Sequence, residues 1–263
     1  MLNDLEQISR WRLFAGKADT SLSALLHFDT GMTRLGLDAD QTDWLIQNRQ
    51  LLEGLELAYV MSHLVSGELV DDPVNAQQLT KFNKLRSWFP NTPASLANSA
   101  GTLLDTGYHF AMTRPGIALY GVHPCNVLDS PLQPTFDWQA RILQIRDAFA
   151  GDKVGYGGTH ELDRDSRIAT LGVGYADGYC RQLGGIASVS ISGRTVPVIG
   201  RVSMDSITVD VTGFDQESLS TDTASLIHSG YRVEQMASDV GTIAYEIITN
   251  LGHRAERHYR GVS

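Results

Sequence analysis

The chain has 263 residues, of which 42% are hydrophobic and 19% charged, a composition typical of a globular protein with one or two domains. Its net charge of −9 argues against a nucleic-acid-binding surface. The two cysteines, Cys125 and Cys180, match neither a disulfide framework nor a metal site and predict free thiols in a reducing compartment. The acidic first residues argue against a signal peptide, and no apolar run approaches the roughly 18 residues that would span a membrane. We expect a cytoplasmic protein without a metal, nucleic-acid or membrane partner.

The first half of the chain alternates helix-like and strand-like segments. Leu5, Ile8 and Trp11 recur at helical spacing, with Asn3 or Asp4 as the cap. The expected elements that follow are a strand at Ala24–Asp29, a helix around Asp40–Leu52, a strand at Leu55–His63, a helix from Pro73 with an apolar face of Leu79, Phe82, Leu85 and Trp88, and strand segments at Ser95–Gly101 and His109–Gly116. This alternation predicts a parallel α/β sheet.

From about residue 135 the pattern becomes β. The segment Ser188–Gly213 alternates in period two, with Ser192-Gly193 as a hairpin signal. One helix is expected near the end, and its apolar face and cap are Ile243, Ile247, Leu251 and Gly252. Earlier, the apolar strand Ile168–Val173 runs into Gly-Tyr-Ala-Asp-Gly-Tyr, where Asp177-Gly178 is a common turn signal.

Polar residues follow the expected strands of the first half. They are Arg34 in "DTGMTRLG", His63, the pair Asn98-Ser99, and Arg114. In a parallel α/β barrel the carboxyl ends of the strands converge on one face, where the chemistry takes place. Taken singly, His63 is also explained as a core histidine, the arginines as surface ion pairs, and Asn98-Ser99 as a helix cap.

The stretch "RPGIALYG" that begins at Arg114 adds a physical detail. A cation followed by Pro-Gly and by backbone N–H groups that open a turn can hold an anion. Ser99 would add a hydroxyl to the same phosphate. A plain helix start is the alternative interpretation.

Eight motifs in order resemble the bacterial, pyridoxal-phosphate-dependent alanine racemase family, from about Leu2 to Tyr259. They are "DTGMTRLG", "MSH", "ANSAGTL", "RPGIALYG", "GYGGTH", "IATLGVGYADGY", "VIGRVSMD" and "GTIAYEI". The resemblance implies an α/β fold, with the C-terminal half of a TIM-type (β/α)8 barrel that binds the cofactor over residues 1–130 and a mostly β domain over 131–263.

The resemblance also implies the activity and the site. The reaction would interconvert L-alanine and D-alanine by a two-base mechanism, supplying D-alanine for cell-wall peptidoglycan, in a homodimer whose site is shared between subunits. Tyr156, His63 and Arg114 would be catalytic, with Arg114 facing the pyridine nitrogen of pyridoxal 5'-phosphate and His63 bridging Arg114 and Tyr156. The implied cofactor-binding residues are Arg114, Ser99, Gly116, Ile117, Tyr245 and Arg34, and the implied substrate-binding residues are Arg34, Met204, Asp205 and Tyr175.

The physical chemistry fits these roles. An arginine stays protonated, so Arg114 would leave the ring nitrogen unprotonated and temper the electron sink. A phenol ordinarily has a pKa of about 10 and is a poor base at neutral pH. A hydrogen-bonded chain from Tyr156 through His63 to Arg114 would favour the phenolate.

The sequence departs from the family at the cofactor lysine, which lies in an early motif of the type Val-Lys-Ala-Asn-Ala-Tyr-Gly. The lysines here, Lys17, Lys81, Lys84 and Lys153, have no such context. Only four strands are expected where a TIM barrel has eight, so we expect that the N-terminal portion of the family is lacking and that the half barrel has open edges. In addition, His27 replaces a lysine, often carbamylated, that orients the arginine equivalent to Arg34.

Three interpretations remain open. The chain is an alanine racemase whose first half lies elsewhere, a non-catalytic remnant that acts as an interaction module, or a racemase of another small amino acid. A cofactor-lysine motif in frame upstream of Met1 would favour the first over the second.

Overall fold

The computed structural model describes residues 1–125, 130–215, 217, 219 and 221–261. The chain forms two compact units, Met1–Leu119 and Tyr120–Ser263. Within the described ranges, no helix is both long enough and apolar enough to cross a membrane.

The first unit is built around a three-stranded parallel sheet in the order β1-β2-β3. Leu22 pairs with Leu55 between the first two strands, and Val60 pairs with Ala94 between the second and third. The predicted parallel α/β sheet is therefore confirmed. Its elements are α1 (Leu5–Ala18), β1 (Leu22–His27), α2 (Ala39–Gln47), β2 (Leu55–Met61), α3 (Pro73–Arg86), β3 (Ala94–Ser95) and α4 (Ser99–Leu104).

Local sequence signals explain where these helices begin. Asp4 is the N-cap of α1, where its carboxylate accepts a hydrogen bond from the Gln7 amide, and Pro73 occupies the first turn of α3, where no N–H is needed. The sheet and helices share one apolar core, in which Ile8, Leu26, Phe28, Leu45, Val60, Phe82 and Leu96 are fully buried. Burial of such side chains contributes roughly 1.5–3 kcal/mol each.

The expected fourth strand at His109–Gly116 does not form. Only an isolated parallel bridge joins Asn98 to Arg114. A 3-10 turn at Thr106–Tyr108 precedes the segment, and Phe110 has a left-handed φ of 54° that interrupts an extended backbone.

Other expected elements are shorter than the sequence suggested. The helix expected to reach Leu52 ends at Gln47 and is followed by a 3-10 helix at Arg49–Leu52. Of the segment expected at Ser95–Gly101 only Ser95 lies in a strand, β3, because Asn98 is the N-cap of α4. Trp88 lies beyond the end of α3 and is exposed.

The second unit contains a closed six-stranded antiparallel barrel in the order β10-β7-β4-β11-β8-β9. Closure leaves no unpaired strand edge among these six. Its elements are β4 (Gln139–Ala148), β5 (Lys153–Val154), β6 (His160–Glu161), β7 (Ser166–Leu171), β8 (Ser188–Ile191), β9 (Arg194–Ile199), β10 (Ile207–Asp210), β11 (Thr223–Ser225), α5 (Val233–Asp239) and α6 (Ala244–Thr249).

The predicted β8–β9 hairpin is confirmed, with Ser192 and Gly193 both at positive φ. Near the end of the chain two helices form, α5 and α6, where the sequence predicts only one. Ile243 is the exposed N-cap residue of α6, and Gly252 does not cap the helix but donates its N–H to the Asp177 carbonyl.

Candidate active site

Arg114 lies at the carboxyl ends of β2 and β3. Its guanidinium donates hydrogen bonds to the Ser62 carbonyl at 2.7 Å, to the Leu96 carbonyl at 3.2 Å and to the Ser95 hydroxyl. Burial lowers the pKa of Arg114 from its ordinary value, although a guanidinium remains protonated in proteins. The fixed cation expected from the sequence therefore lies at the polar edge of the sheet.

Ser99 is buried at the start of α4 and contacts the turn that follows Arg114. Its hydroxyl oxygen accepts hydrogen bonds from the Gly116 amide at 2.7 Å and from the Ala118 amide at 3.4 Å. A Cβ added to Gly116 would meet no atom within 4 Å, so there is open space beside this backbone. Ile117 begins a 3-10 helix here, Ile117–Tyr120. The Ser99 hydroxyl and these two amides thus lie together and are bonded to each other, and their role in binding a phosphate stays a prediction.

Asn98 joins the cap of α4 to His63. Its side-chain oxygen accepts from the Gly101 amide at 2.9 Å, which confirms the helix-cap interpretation, and its Nδ2 lies 3.3 Å from His63 Nε2. The pKa of His63 is lowered to about 4, first by burial and then by the charges of Arg114 and Arg34 and by His27. In the described part of the chain, His63 makes no direct hydrogen bond to Arg114.

Asp29 organises the loop that carries Arg34. Its carboxylate accepts from the amides of Gly31 and Met32 at 2.8 Å and of Thr33 at 2.9 Å. Gly36 has a φ of 109°, and an added Cβ would lie 2.8 Å from the Asp29 nitrogen, so this position requires glycine. Arg34 is exposed, and its charge contributes to the lowered pKa values of His63 and His27.

His27 is buried at the end of β1. Its Nδ1 lies 2.9 Å from the Asn3 side-chain oxygen. Its pKa is lowered, chiefly by burial and next by Arg114. His27, which stands where the family often has a lysine, is therefore paired with Asn3 in the segment before α1. The sequence did not indicate this contact.

Tyr156 lies in the second unit, between β5 and β6, in a 3-10 turn at Tyr156–Gly158. Gly155, Gly157 and Gly158 all have positive φ, which explains the glycine-rich "GYGG". The Tyr156 side chain is 73% exposed.

Tyr175, Met204 and Asp205 lie on two loops that are bonded to each other. The Tyr175 amide donates to the Ser203 carbonyl at 3.1 Å, and the Ala176 amide donates to the Met204 carbonyl at 3.0 Å. Arg254 bridges these loops, since it contacts Asp205 at 2.6 Å and Asp177 at 3.3 Å. The sequence contained no signal for this arginine.

The stretch "GYADGY" combines a turn with a presented side chain. Tyr175–Asp177 is a 3-10 helix, and Asp177 accepts a hydrogen bond from the Gly174 amide at 2.9 Å. Gly178 has a φ of 97°, and a Cβ there would lie 2.1 Å from the Asn250 carbonyl oxygen. Tyr175 is 44% exposed, whereas Tyr179 is fully buried.

Tyr245 and the lysines complete the set of predicted residues. Tyr245 lies on α6 with a partly exposed side chain. Of the four lysines, Lys17 is on α1, Lys81 and Lys84 are on α3, and Lys153 is on β5, and all are exposed. Among the described residues, none of these lysines forms a hydrogen bond or ion pair with Arg114, His63 or Ser99.

The fold and the site together define a class of protein: an α/β enzyme with polar and cationic side chains at the carboxyl edge of its parallel strands, followed by an antiparallel β barrel. The family model "Alanine racemase, N-terminal domain" matches residues 1–124, and "Alanine racemase, C-terminal domain" matches residues 135–259.

Individual relatives agree with these matches. The alanine racemase of Rickettsia africae is 43% identical over 262 residues, which cover 99% of this chain and 72% of that protein. The crystal structure of the alanine racemase from Bartonella henselae, described with covalently bound pyridoxal phosphate, has a TM-score of 0.88 at 38% identity and covers 98% of this chain and 72% of that one. The alanine racemase of Streptomyces coelicolor has a TM-score of 0.90 at 28% identity, over 99% of this chain and 72% of that one.

The chain belongs to the alanine racemase family, whose members are pyridoxal-phosphate-dependent isomerases. The expectation that the N-terminal portion is lacking is not supported, because the N-terminal family model matches from the first residue of this chain.

Proposed function

We propose that this chain holds pyridoxal 5'-phosphate at the carboxyl edge of β1–β3 and takes part in the interconversion of L-alanine and D-alanine. The observation that carries the proposal is the grouping of Arg114, His63 and Ser99 around the ends of β2 and β3. We further propose that these strands are part of a (β/α)8 barrel, that residues 1–130 bind the cofactor and that residues 131–263 are the β domain. Both cysteines lie outside any disulfide, which fits a cytoplasmic enzyme.

The residues at the phosphate end fit the cofactor. Ser99 is buried with its hydroxyl against two backbone amides, and Gly116 leaves open space beside them. Since its oxygen accepts from these amides, the Ser99 hydroxyl keeps its own hydrogen to donate, and a hydroxyl donor beside the backbone N–H groups of a turn favours a phosphate. Ser99, Gly116, Ile117 and Tyr245 would hold the phosphate, and Arg34 would approach the phenolic oxygen and the substrate.

Arg114 fits the ring nitrogen. Its guanidinium is fixed by two carbonyls and a hydroxyl and stays protonated. It would therefore donate a hydrogen bond to the ring nitrogen without transferring its proton. The bound cofactor would supply an electron sink for the substrate. The arginine would temper that sink, since it leaves the ring nitrogen without a proton.

The second unit would supply the proton-transfer and substrate groups across a homodimer. Tyr156 is presented on a short hairpin with most of its phenol exposed, which supports a role outside its own unit. We propose that it removes or returns a proton at the substrate Cα, with His63 next to it. Met204, Asp205 and Tyr175 would contact the substrate or line its approach, with their two loops joined by Arg254.

We also propose that the cofactor lysine is not among the lysines of this sequence. All four are exposed and lie on α1, α3 and β5, in contexts unlike the family motif. That lysine would be the second acid–base group, opposite Tyr156. A positioned general acid or base typically contributes about 10²–10⁴-fold to the rate, so the chain alone is expected to be inactive.

The test follows conversion of L-alanine to D-alanine by the purified chain with pyridoxal 5'-phosphate, alone and together with a polypeptide that carries the lysine motif. We expect turnover only in the mixture, and Tyr156→Phe should lower it by about 10²–10⁴-fold. Tyr259→Phe changes an exposed tyrosine near the chain end and serves as the matched control.

Each other outcome has a defined meaning. Turnover by the chain alone would contradict the lysine proposal and make Lys153 the first residue to mutate. Retention of no cofactor through dialysis and no turnover in either sample would favour the non-catalytic interaction module. Faster turnover of another small amino acid would favour the third interpretation.

A further inference from the structure

Gln78 is a buried amide on a helix that carries none of the predicted site residues. Its side chain is 1% exposed, whereas its neighbour Gln77 on the same helix, α3, is exposed. An amide removed from water is costly unless its polar atoms find partners. The polar atoms of the Gln78 side chain are therefore expected to have hydrogen-bond partners inside the fold.

The contacts of Gln78 lie on two of the segments that form the site edge. Its Nε2 donates to the Thr30 hydroxyl at 3.0 Å and to the His63 carbonyl at 2.9 Å. Its Oε1 accepts from the Val65 amide at 2.9 Å. One side chain thus joins the loop after β1 to the residues after β2.

The hydrogen bonds continue from Thr30 to Arg114. The hydroxyl oxygens of Thr30 and Ser62 are 2.7 Å apart, and both residues are buried. The Ser62 carbonyl in turn accepts from the Arg114 guanidinium at 2.7 Å. Gln78 therefore begins two chains of hydrogen bonds. One ends at the main-chain carbonyl of His63. The other runs through the Thr30 and Ser62 hydroxyls to Ser62, whose carbonyl accepts the hydrogen bond from Arg114.

We propose that Gln78 is a positioning residue for the active site, which fixes His63 directly and Arg114 through Thr30 and Ser62. The assignment rests on the proposed function for the roles of His63 and Arg114. Groups that orient the residues in contact with a ligand are commonly needed for its affinity, even though they do not touch it.

The geometry indicates what loss of this amide does. Without it, the Thr30 hydroxyl and the His63 carbonyl lose a buried donor, and such unsatisfied groups relax toward water. The pKa of His63 is lowered mainly by burial, so admission of water raises it toward 6.5. The Ser62 carbonyl also becomes less well fixed, which loosens Arg114.

The experiment compares Gln78→Leu with Gln77→Leu, which makes the same change at the exposed neighbouring position. The titration of the His63 ring is followed by NMR in the chain without ligand, and the dissociation constant of pyridoxal 5'-phosphate is measured by retention on dialysis. We expect Gln78→Leu to raise the titration midpoint of the His63 ring by about one pH unit and to weaken cofactor binding by about tenfold. Gln77→Leu should match the unchanged protein in both.

Thr30→Val supplies a second variant, because it cuts only the link from Gln78 to Ser62. It should weaken cofactor binding with little change in the His63 midpoint, and the double variant with Gln78→Leu should show less than the sum of the two binding losses. If Gln78→Leu does not fold, unchanged cofactor affinity in Thr30→Val overturns the proposal.

The two proposals fail in different ways. If Gln78→Leu folds and the titration midpoint of His63 is unchanged, the positioning role is overturned, whether or not the affinity for the cofactor changes. If the unchanged protein binds no pyridoxal 5'-phosphate, the proposed function fails, and the His63 titration still decides whether Gln78 positions that residue.

Discussion

At the scale of single residues, the lowered pKa of His63 makes the stability of the first unit depend on pH. The group titrates at about 4 in the folded chain and at 6.5 in its ordinary state. Between these values the unfolded chain binds more protons, so the free energy of unfolding rises with pH. The stability contribution is complete above 6.5 and is lost as the pH falls toward 4.

We therefore predict that His63→Gln reduces the pH dependence of the free energy of unfolding in this interval. Denaturant unfolding of both proteins, above and below the interval, measures the change. His258→Gln alters an exposed histidine and should leave the slope of the free energy of unfolding against pH unchanged. An unaltered slope in His63→Gln would assign the pH dependence to other groups, of which His27 is the first to examine because its pKa is also lowered.

At the scale of elements, two glycines illustrate how context decides the effect of one substitution. Gly193 closes the β8–β9 hairpin at a φ of 78°, beside Ser192 at 49°. Gly16 lies inside α1, where an added Cβ would meet nothing within 4 Å. A left-handed conformation costs a residue with a Cβ roughly 1–2 kcal/mol, whereas Gly to Ala in a helix gains roughly 0.5–1 kcal/mol.

We predict that Gly193→Ala lowers the free energy of unfolding by about 1 kcal/mol. Gly16→Ala should raise it by roughly 0.5–1 kcal/mol. Chemical denaturation of the two variants beside the unchanged protein gives both values. Equal signs for the two would contradict the backbone argument for the hairpin.

At the scale of the whole molecule, the two units differ in how their sheets end. All six strands of the barrel in the second unit are paired on both sides. The parallel sheet of the first unit has two edge strands, β1 and β3, whose outer sides are only partly paired. A single bridge from Leu2 covers part of β1, and the Ala111 amide donates to the Ala94 carbonyl of β3. The surface around α1 exposes Trp11, Leu13 and Phe14. Unpaired edges and exposed apolar side chains favour association between chains.

We accordingly predict that residues 120–263 expressed alone are soluble and unfold cooperatively, and that residues 1–119 alone associate. Sedimentation at several protein concentrations and thermal unfolding by circular dichroism measure the two properties. Monomeric behaviour of residues 1–119 at every concentration would show that its edges need no cover.

The match between sequence and structure is good where one local rule decides the outcome. Asp4, Pro73 and Asn98 occupy helix starts that their chemistry favours, and Ser192-Gly193 closes the expected hairpin. It is poor where two local tendencies compete. The segment around Phe110 contains strand-forming residues, but a preceding 3-10 turn and a left-handed residue leave only a single bridge.

The candidate site shows the same division. The position of Arg114, His63 and Ser99 at one edge of the sheet could be predicted because polar groups at the ends of parallel strands converge, and their roles stay predictions from the family resemblance. Gln78 and Arg254 could not, because a glutamine within a polar helix and an arginine near the chain end carry no spacing signal. Only the contacts within each unit reveal that Gln78 joins two segments of the first unit and that Arg254 joins two loops of the second.

The sequence by itself determined the family, the parallel order of the first strands, the β character of the second half and the set of chemically capable side chains. These follow from motifs, periodicity and residue type, which are local properties. The tertiary structure alone decided which polar atoms are paired: the buried Gln78 with Thr30 and His63, the buried His27 with Asn3, and the exposed Arg254 with two aspartates. Burial and pairing depend on residues distant along the chain that meet only when it folds, and the pKa of His63 follows from that meeting.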